Sequence, residues 1–248
     1  MLSSLYMSLK TTQDEDVRSH KARVKLVDHH FKQIAKRTQK YATFTKKSGS
    51  QGAKLCEEIK DSFEELEERD VSVHIDKFSK CYSSVQKLKG ALSQNIHERI
   101  ATEFRVYETK CNELNREIRE CENLIHKHKN EECNLEKMKN RVPMDRRKFV
   151  EAQLREDQAK ISSAHSKKMV QRKVERFERE KLEDTGKILR EFVRLEMEFH
   201  AHALQTLTKA YRHLMNVTGN RDKEEKANAT EQCADSSSGS RLSISHLN

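Results

Sequence analysis

The chain has 248 residues, 36% of them charged and 34% hydrophobic, with one proline, six glycines and no tryptophan. So few turn formers exclude a many-stranded sandwich, barrel or Rossmann-type fold, and the apolar share lies below the roughly 45–50% of globular domains, which argues against one compact core. The net charge of +9 points to a polyanionic partner: nucleic acid, an anionic membrane or an acidic protein.

The first twelve residues, MLSSLYMSLKTT, lack the continuous apolar core of a signal peptide. Leu2, Leu5, Tyr6 and Leu9 nevertheless stand at helical spacing, with no acid before Asp14. Residues 1–13 therefore read as a frayed, flexible terminus, as a short amphipathic membrane-inserting segment, or as a poor mitochondrial presequence whose only base is Lys10. No apolar run in the chain approaches the roughly 18–20 residues that span a bilayer.

From Asp14 to Glu68, apolar residues at Val17, Val24, Val27, Phe31, Ile34, Tyr41, Phe44, Leu55, Ile59, Phe63 and Leu66 recur mostly at steps of three, four or seven. That spacing predicts one face of a helix. Gly49 and Gly52 interrupt it and predict a kink or a weak point, since each costs roughly 0.5–1 kcal/mol in a helix interior. The same helix carries Arg18, Lys21, Lys25, Lys32, Lys36, Lys40, Lys47 and Lys54 on one side, roughly opposite Val24, Phe31, Ile34 and Tyr41. Between Val17 and Lys54 the only acid is Asp28. A solvated rod needs soluble residues outside, but eight bases on one side with one acid among them leave repulsion uncompensated. An anionic surface would compensate it. The stretch from Glu57 to Asp70 then reverses sign.

A second stripe runs through Phe78, Cys81, Val85, Leu88, Leu92, Ile96, Ile100, Phe104, Tyr107, Cys111, Leu114, Ile118, Cys121 and Ile125. It predicts one helix from Val73 to Met138, about 100 Å long at 1.5 Å per residue. The consecutive fours from Leu88 to Phe104 depart from a heptad and would locally unwind a left-handed supercoil. Pro143 marks a turn, and Asp145 suits the start of the next helix. Around this turn lie Lys137, Lys139, Arg141, Arg146, Arg147 and Lys148.

The third helix begins polar, carries the bases Lys167, Lys168, Arg172, Lys173 and Arg176, and gains a stripe at Val170, Val174, Phe177, Ile188, Phe192, Leu195, Phe199, Ala203, Leu207, Ala210, Leu214 and Val217. After it, residues 218–248 read as a disordered, serine-rich tail. The fold expected is all-α: three long helices over residues 14–217 in an antiparallel coiled-coil bundle. Phe31, Ile34, Leu88, Leu92, Ile96, Phe104, Phe177, Phe192 and Phe199 are its expected bundle or dimer core. Narrow stripes leave much surface for little volume, so pairing with a second copy is expected.

Catalytic and metal readings fail on spacing. His126-x-His128 and His200-x-His202 point to different helix faces, as do the adjacent His29 and His30, whereas chelation on a helix wants steps of three or four. The six cysteines include no CxxC pair and read as free thiols of a reducing compartment. No phosphate loop or nucleophile elbow occurs, so neither an enzyme nor a cofactor is expected. For nucleic acid the basic segments lack interleaved aromatics and any helix-turn-helix or finger spacing, so a membrane is favoured. A cluster of bases worth about 1 kcal/mol each near an anionic bilayer suffices for reversible binding. A coiled-coil adaptor that never touches lipid is the alternative.

The third helix also carries a resemblance. Phe177-Glu-Arg-Glu-Lys181 followed by Asp184, then Glu191-Phe192, Glu196-Met197, Phe199-His200, Ala203-Leu204 and Ala210-Tyr211, resembles the Chibby-interacting BAR-domain family. Pro143-x-Asp145-Arg146 resembles that family's turn, and Val27-x-x-His30-Phe31 its first helix, over residues 14 to 217 in all. The resemblance implies a BAR-type fold and a curved homodimer that binds and remodels anionic membranes. It further implies a coiled-coil Chibby partner at the ciliary base, with roles in basal-body docking and transition-zone assembly during ciliogenesis. A mitochondrial inner-membrane role also occurs in the family. Gly49 and Gly52 depart from the charged helical stretch expected there.

Overall fold

The computed structural model describes residues 2–65, 69–141 and 145–238, with side chains described for 15–65, 71–141 and 145–217. The expectations for residues 1–13, for Pro143 and for the tail 218–248 fall outside the described side chains. Four α-helices follow in order: α1 (Leu2–Glu65), α2 (Arg69–Ile96), α3 (Thr102–Lys139) and α4 (Arg146–Ser238). A five-residue π turn, His97–Ala101, joins α2 to α3 without a break, so these form the single second helix expected. Among the described residues there is no strand, and no helix is long and apolar enough to cross a membrane.

The π turn resolves the run of fours. Four residues advance an α-helix by about 400°, so successive fours drift off the seam by about 40° each. At the turn the Thr102 N–H donates to the His97 carbonyl five residues back, and the Thr102 hydroxyl donates to the same oxygen at 3.1 Å. The wider turn absorbs an extra residue. Leu92, Ile96, Ile100 and Phe104 consequently all stay buried.

Contacts divide the chain into two units, one of Met1–Lys40 with Ile96–Val193 and one of Tyr41–Asn95 with Arg194–Asn248. In the first, Val17, Val24, Tyr107, Cys111, Leu114, Ile118, Cys121, Ile125, Val170, Val174 and Phe177 form the core, with Val27 and Phe31 against it. Phe31 meets Phe104 and Tyr107 edge to face at ring separations of 5.4 and 4.8 Å, and Tyr107 meets Phe177 at 6.0 Å. One aromatic cluster thus joins α1, α3 and α4, in the offset geometry that ring quadrupoles favour. The Tyr107 hydroxyl donates to Asp184 at 2.9 Å, and Lys110 donates to the same carboxylate at 3.1 Å. Lower down, buried His128 pairs with Glu156 at 3.1 Å.

In the second unit α1 and α2 run antiparallel in a register set by small and polar residues. Ala42, Gly49 and Cys56 are buried at steps of seven on α1, and Ser79, Gln86 and Ser93 are buried at steps of seven on α2. The Ser93 hydroxyl donates to the Ala42 carbonyl at 2.6 Å, and the Cys56 thiol donates to the Ser79 carbonyl at 3.2 Å. Between these pairs, a Cβ added to Gly49 would lie 3.0 Å from the Gln86 carbonyl, and one added to Gly52 would lie 2.5 Å from the Gln86 side-chain oxygen. The expected kink is therefore corrected: α1 runs unbroken through both glycines, and the missing side chains admit α2 at close range.

Helix α4 starts as expected at Asp145, whose carboxylate accepts the Lys148 N–H at 3.2 Å in an N-cap. That bond holds the Asp145 carboxyl below its ordinary range. The polar opening of α4 is not idle, because Ala152, Ala159 and Ser163 are buried there and form its seam.

Candidate functional site

Some basic residues of α1 sit beside its seam, whereas Lys40, Lys47 and Lys54 each stand two residues before a buried position (Ala42, Gly49 and Cys56) and so face away from it. Val17, Val24, Ala35, Ala42, Gly49 and Cys56 are buried, and Arg18, Lys25 and Lys36 each follow a buried position by one residue, about 100° around the helix. Two members of the expected face are engaged within the protein. Lys21 turns inward to Glu122 on α3, and Lys32 bridges Asp28 at 2.9 Å and Glu108 at 3.2 Å. The hydrogen bond to Asp28, then that to Glu108, raises the Lys32 ammonium above its ordinary value. These two lysines tie α1 to α3. Arg18, Lys25, Lys36, Lys40, Lys47 and Lys54 stay exposed and make no ion pair among the described residues.

The turn and α4 sets divide in the same way. Lys173 is tied to Glu117 on α3, while Lys139, Arg147 and Lys148 make local pairs with Glu136, Glu151 and Asp145. Lys137, Arg141, Arg146, Lys168 and Arg172 are exposed. A groove of about 330 Å³ brings Lys167 and Lys168 of α4 against Asp16, Val17 and His20 of α1, beside Arg18. Within the first unit the α4 pair Lys167 and Lys168 thus faces a stretch of α1 that presents Asp16 and His20.

Of the expected core, Leu92, Ile96, Phe104 and Phe177 are buried, and Phe31, Leu88, Phe192 and Phe199 are half-buried. Ile34 is 39% exposed, and Tyr41, Phe44 and Leu55 also lie outside. The small residues took the seam, so the large ones on α1 were displaced to its outer side. Within the second unit Met197, Leu204 and Tyr211 follow at steps of seven on α4 and are all strongly exposed. Tyr41 donates to Glu196 at 2.8 Å, which places an α1 aromatic next to that line. Spacing at sevens was the signal that could have revealed it.

Among the described residues no three or more histidine, cysteine or acidic side chains are placed to hold a metal ion. Among the described residues Cys56, Cys81, Cys111, Cys121 and Cys133 form no disulfide. Burial pushes the Cys111 thiol up to about 12, which keeps it protonated and inert.

Comparison with known proteins places this architecture. Residues 1–224 match the family described as FAM92 protein. CBY1-interacting BAR domain-containing protein 1 of Danio rerio is 23% identical over 212 residues, covering 86% of this chain and 72% of the relative. The Homo sapiens protein of the same name is 21% identical over 198 residues, covering 80% and 68%. Among solved structures, the Imp2 F-BAR domain superposes with a TM-score of 0.62 at 12% identity, covering 87% of this chain and 84% of that one. The N-terminal I-BAR domain of D. discoideum IBARa gives 0.55 at 11% identity, covering 88% and 97%. The fold is of BAR type, and the match along nearly the whole helical region establishes that the chain belongs to the FAM92 protein family.

Proposed function

We propose that this protein is a dimeric BAR module that binds and shapes anionic membranes, and that it acts with a Chibby-type coiled-coil partner at the ciliary base. The observation that carries the membrane reading is the exposure, without ion pairs among the described residues, of Lys25, Lys36 and Lys40 in the first unit and of Lys47 and Lys54 in the second. Charges left uncompensated by the protein are available to lipid phosphates. The exposed apolar line Met197, Leu204 and Tyr211 supports pairing with a second copy, because apolar positions at heptad spacing on a helix gain most from a facing helix. The same line supports the alternative, an adaptor whose apolar stripe docks a partner helix.

The names of the relatives, which describe CBY1-interacting proteins, support the partner; a role in basal-body docking and transition-zone assembly is the further part of the same proposal. Co-sedimentation with phosphatidylserine vesicles tests the membrane reading. Lys36→Glu with Lys40→Glu should weaken binding at least tenfold, and added salt should weaken binding of the parent chain. Undiminished binding of the double variant would refute the basic-face mechanism. Capture of a CBY1 coiled-coil segment by that variant, with no vesicle binding by either form, would favour the adaptor.

A further inference from the structure

The first turns of α4 carry a second exposed apolar series, distinct from the line in the other unit. Val150, Leu154 and Ile161 are 56%, 69% and 70% exposed. Ala152 and Ala159, two residues before Leu154 and Ile161, are buried in the seam. Two residues turn a helix by about 200°, so Leu154 and Ile161 point directly away from the bundle. The packing of the described residues leaves them strongly exposed.

The charges along this side are ordered. Arg147, Leu154, Ile161 and Lys168 succeed one another at steps of seven and fall on one line, with Val150 alongside. A base closes each end of the apolar stretch, and Arg146 and Arg172 add to the two ends. Two acids lie near it: Glu151, which is paired with Arg147 at 3.2 Å, and Asp157, which flanks the line. An apolar strip bounded by long basic side chains suits the boundary of an anionic bilayer. There the methyl groups enter the acyl region, and the cations rise along their own stems to the phosphates.

We infer that Val150, Leu154 and Ile161 form a wedge that inserts into the interface of an anionic bilayer, with Arg147 and Lys168 held at the headgroups. The wedge rests on the membrane reading above and adds to it a component of binding that salt does not screen. It also makes binding sensitive to lipid packing, because loosely packed headgroups admit apolar side chains at lower cost.

The chain has no tryptophan, so Ile161→Trp in the full-length protein introduces a single indole. With phosphatidylserine vesicles its emission should shift to the blue and be quenched by lipids brominated near the headgroup. Leu154→Gln with Ile161→Gln should keep the parent's helical circular dichroism, yet lose at least tenfold in the vesicle binding that survives high salt. If the protein pellets with vesicles while the indole stays unshifted and unquenched, insertion is overturned and the basic-face reading stands. If nothing pellets, both fall. A blue shift that grows with protein concentration without vesicles would assign the strip to a second copy and overturn the wedge.

Discussion

Replacing Gly49 by leucine isolates the close approach of α1 and α2. A Cβ at this position would stand 3.0 Å from the Gln86 carbonyl oxygen and 3.2 Å from the Lys89 Cβ, inside ordinary contact distance, and the first of these neighbours is backbone. Leucine adds three further carbons to a space that α2 already fills. Its better helix propensity returns somewhat under 1 kcal/mol, against about 1–3 kcal/mol for overpacking a tight seam. The net cost expected is about 1–2 kcal/mol. For a chain of this size that lowers the melting temperature by about 3–6 °C.

Gly90 supplies the control, because an added Cβ there meets nothing within 4 Å. Gly90→Ala should therefore stabilise by about 0.8–1 kcal/mol. Both variants are read by circular dichroism melts at one fixed protein concentration, since any self-association would make the midpoint depend on it. Gly52→Ala adds a coupling test: it forces out the Gln86 side chain, so its cost should shrink in a Gln86→Ala background. A Gly49→Leu protein that melts at or above the parent would refute the close seam.

Two further outcomes follow from the core. Cys133, exposed, should react with iodoacetamide in the native protein, whereas Cys111 and Cys121 should react only after unfolding, as read by mass spectrometry of labelled peptides. Tyr107→Phe removes a donor to Asp184 and should cost about 0.5–1.5 kcal/mol near neutral pH. The bond from Tyr107, then that from Lys110, holds the Asp184 carboxyl below its ordinary value. Its stabilising contribution is therefore present above the unfolded value of about 3.9 and is lost as pH falls through the lower folded value. Denaturant titrations should show the gap between parent and Tyr107→Phe narrowing as pH falls below the ordinary carboxylate range.

The all-helical fold and the second helix were legible because their stripe consists mostly of large apolar residues, with no proline among them. Hydropathy periodicity reads such a stripe well. It reads poorly where the packing selects smallness. Ala35, Ala42, Gly49 and Cys56 make the buried line of α1, yet Ile34, Tyr41 and Phe44 drew the stripe, and these lie outside. Ser79, Gln86 and Ser93 are polar and Ala152, Ala159 and Ser163 are small, so neither set stands out by hydropathy although each is buried. The basic face was visible as a face, but its division was not. Whether Lys21 meets Glu122 or Lys32 meets Glu108 depends on the register between α1 and α3, which only tertiary packing fixes.

A BAR-type chain that shapes anionic membranes by laying its exposed lysines on them should visibly deform the lipid. Electron microscopy of phosphatidylserine vesicles incubated with the full-length protein tests it most directly. Tubules or other uniform deformation are expected with the parent protein, and smooth spherical vesicles with Lys36→Glu plus Lys40→Glu. Vesicles that remain spherical although the parent protein coats them would contradict it and leave a passive docking protein.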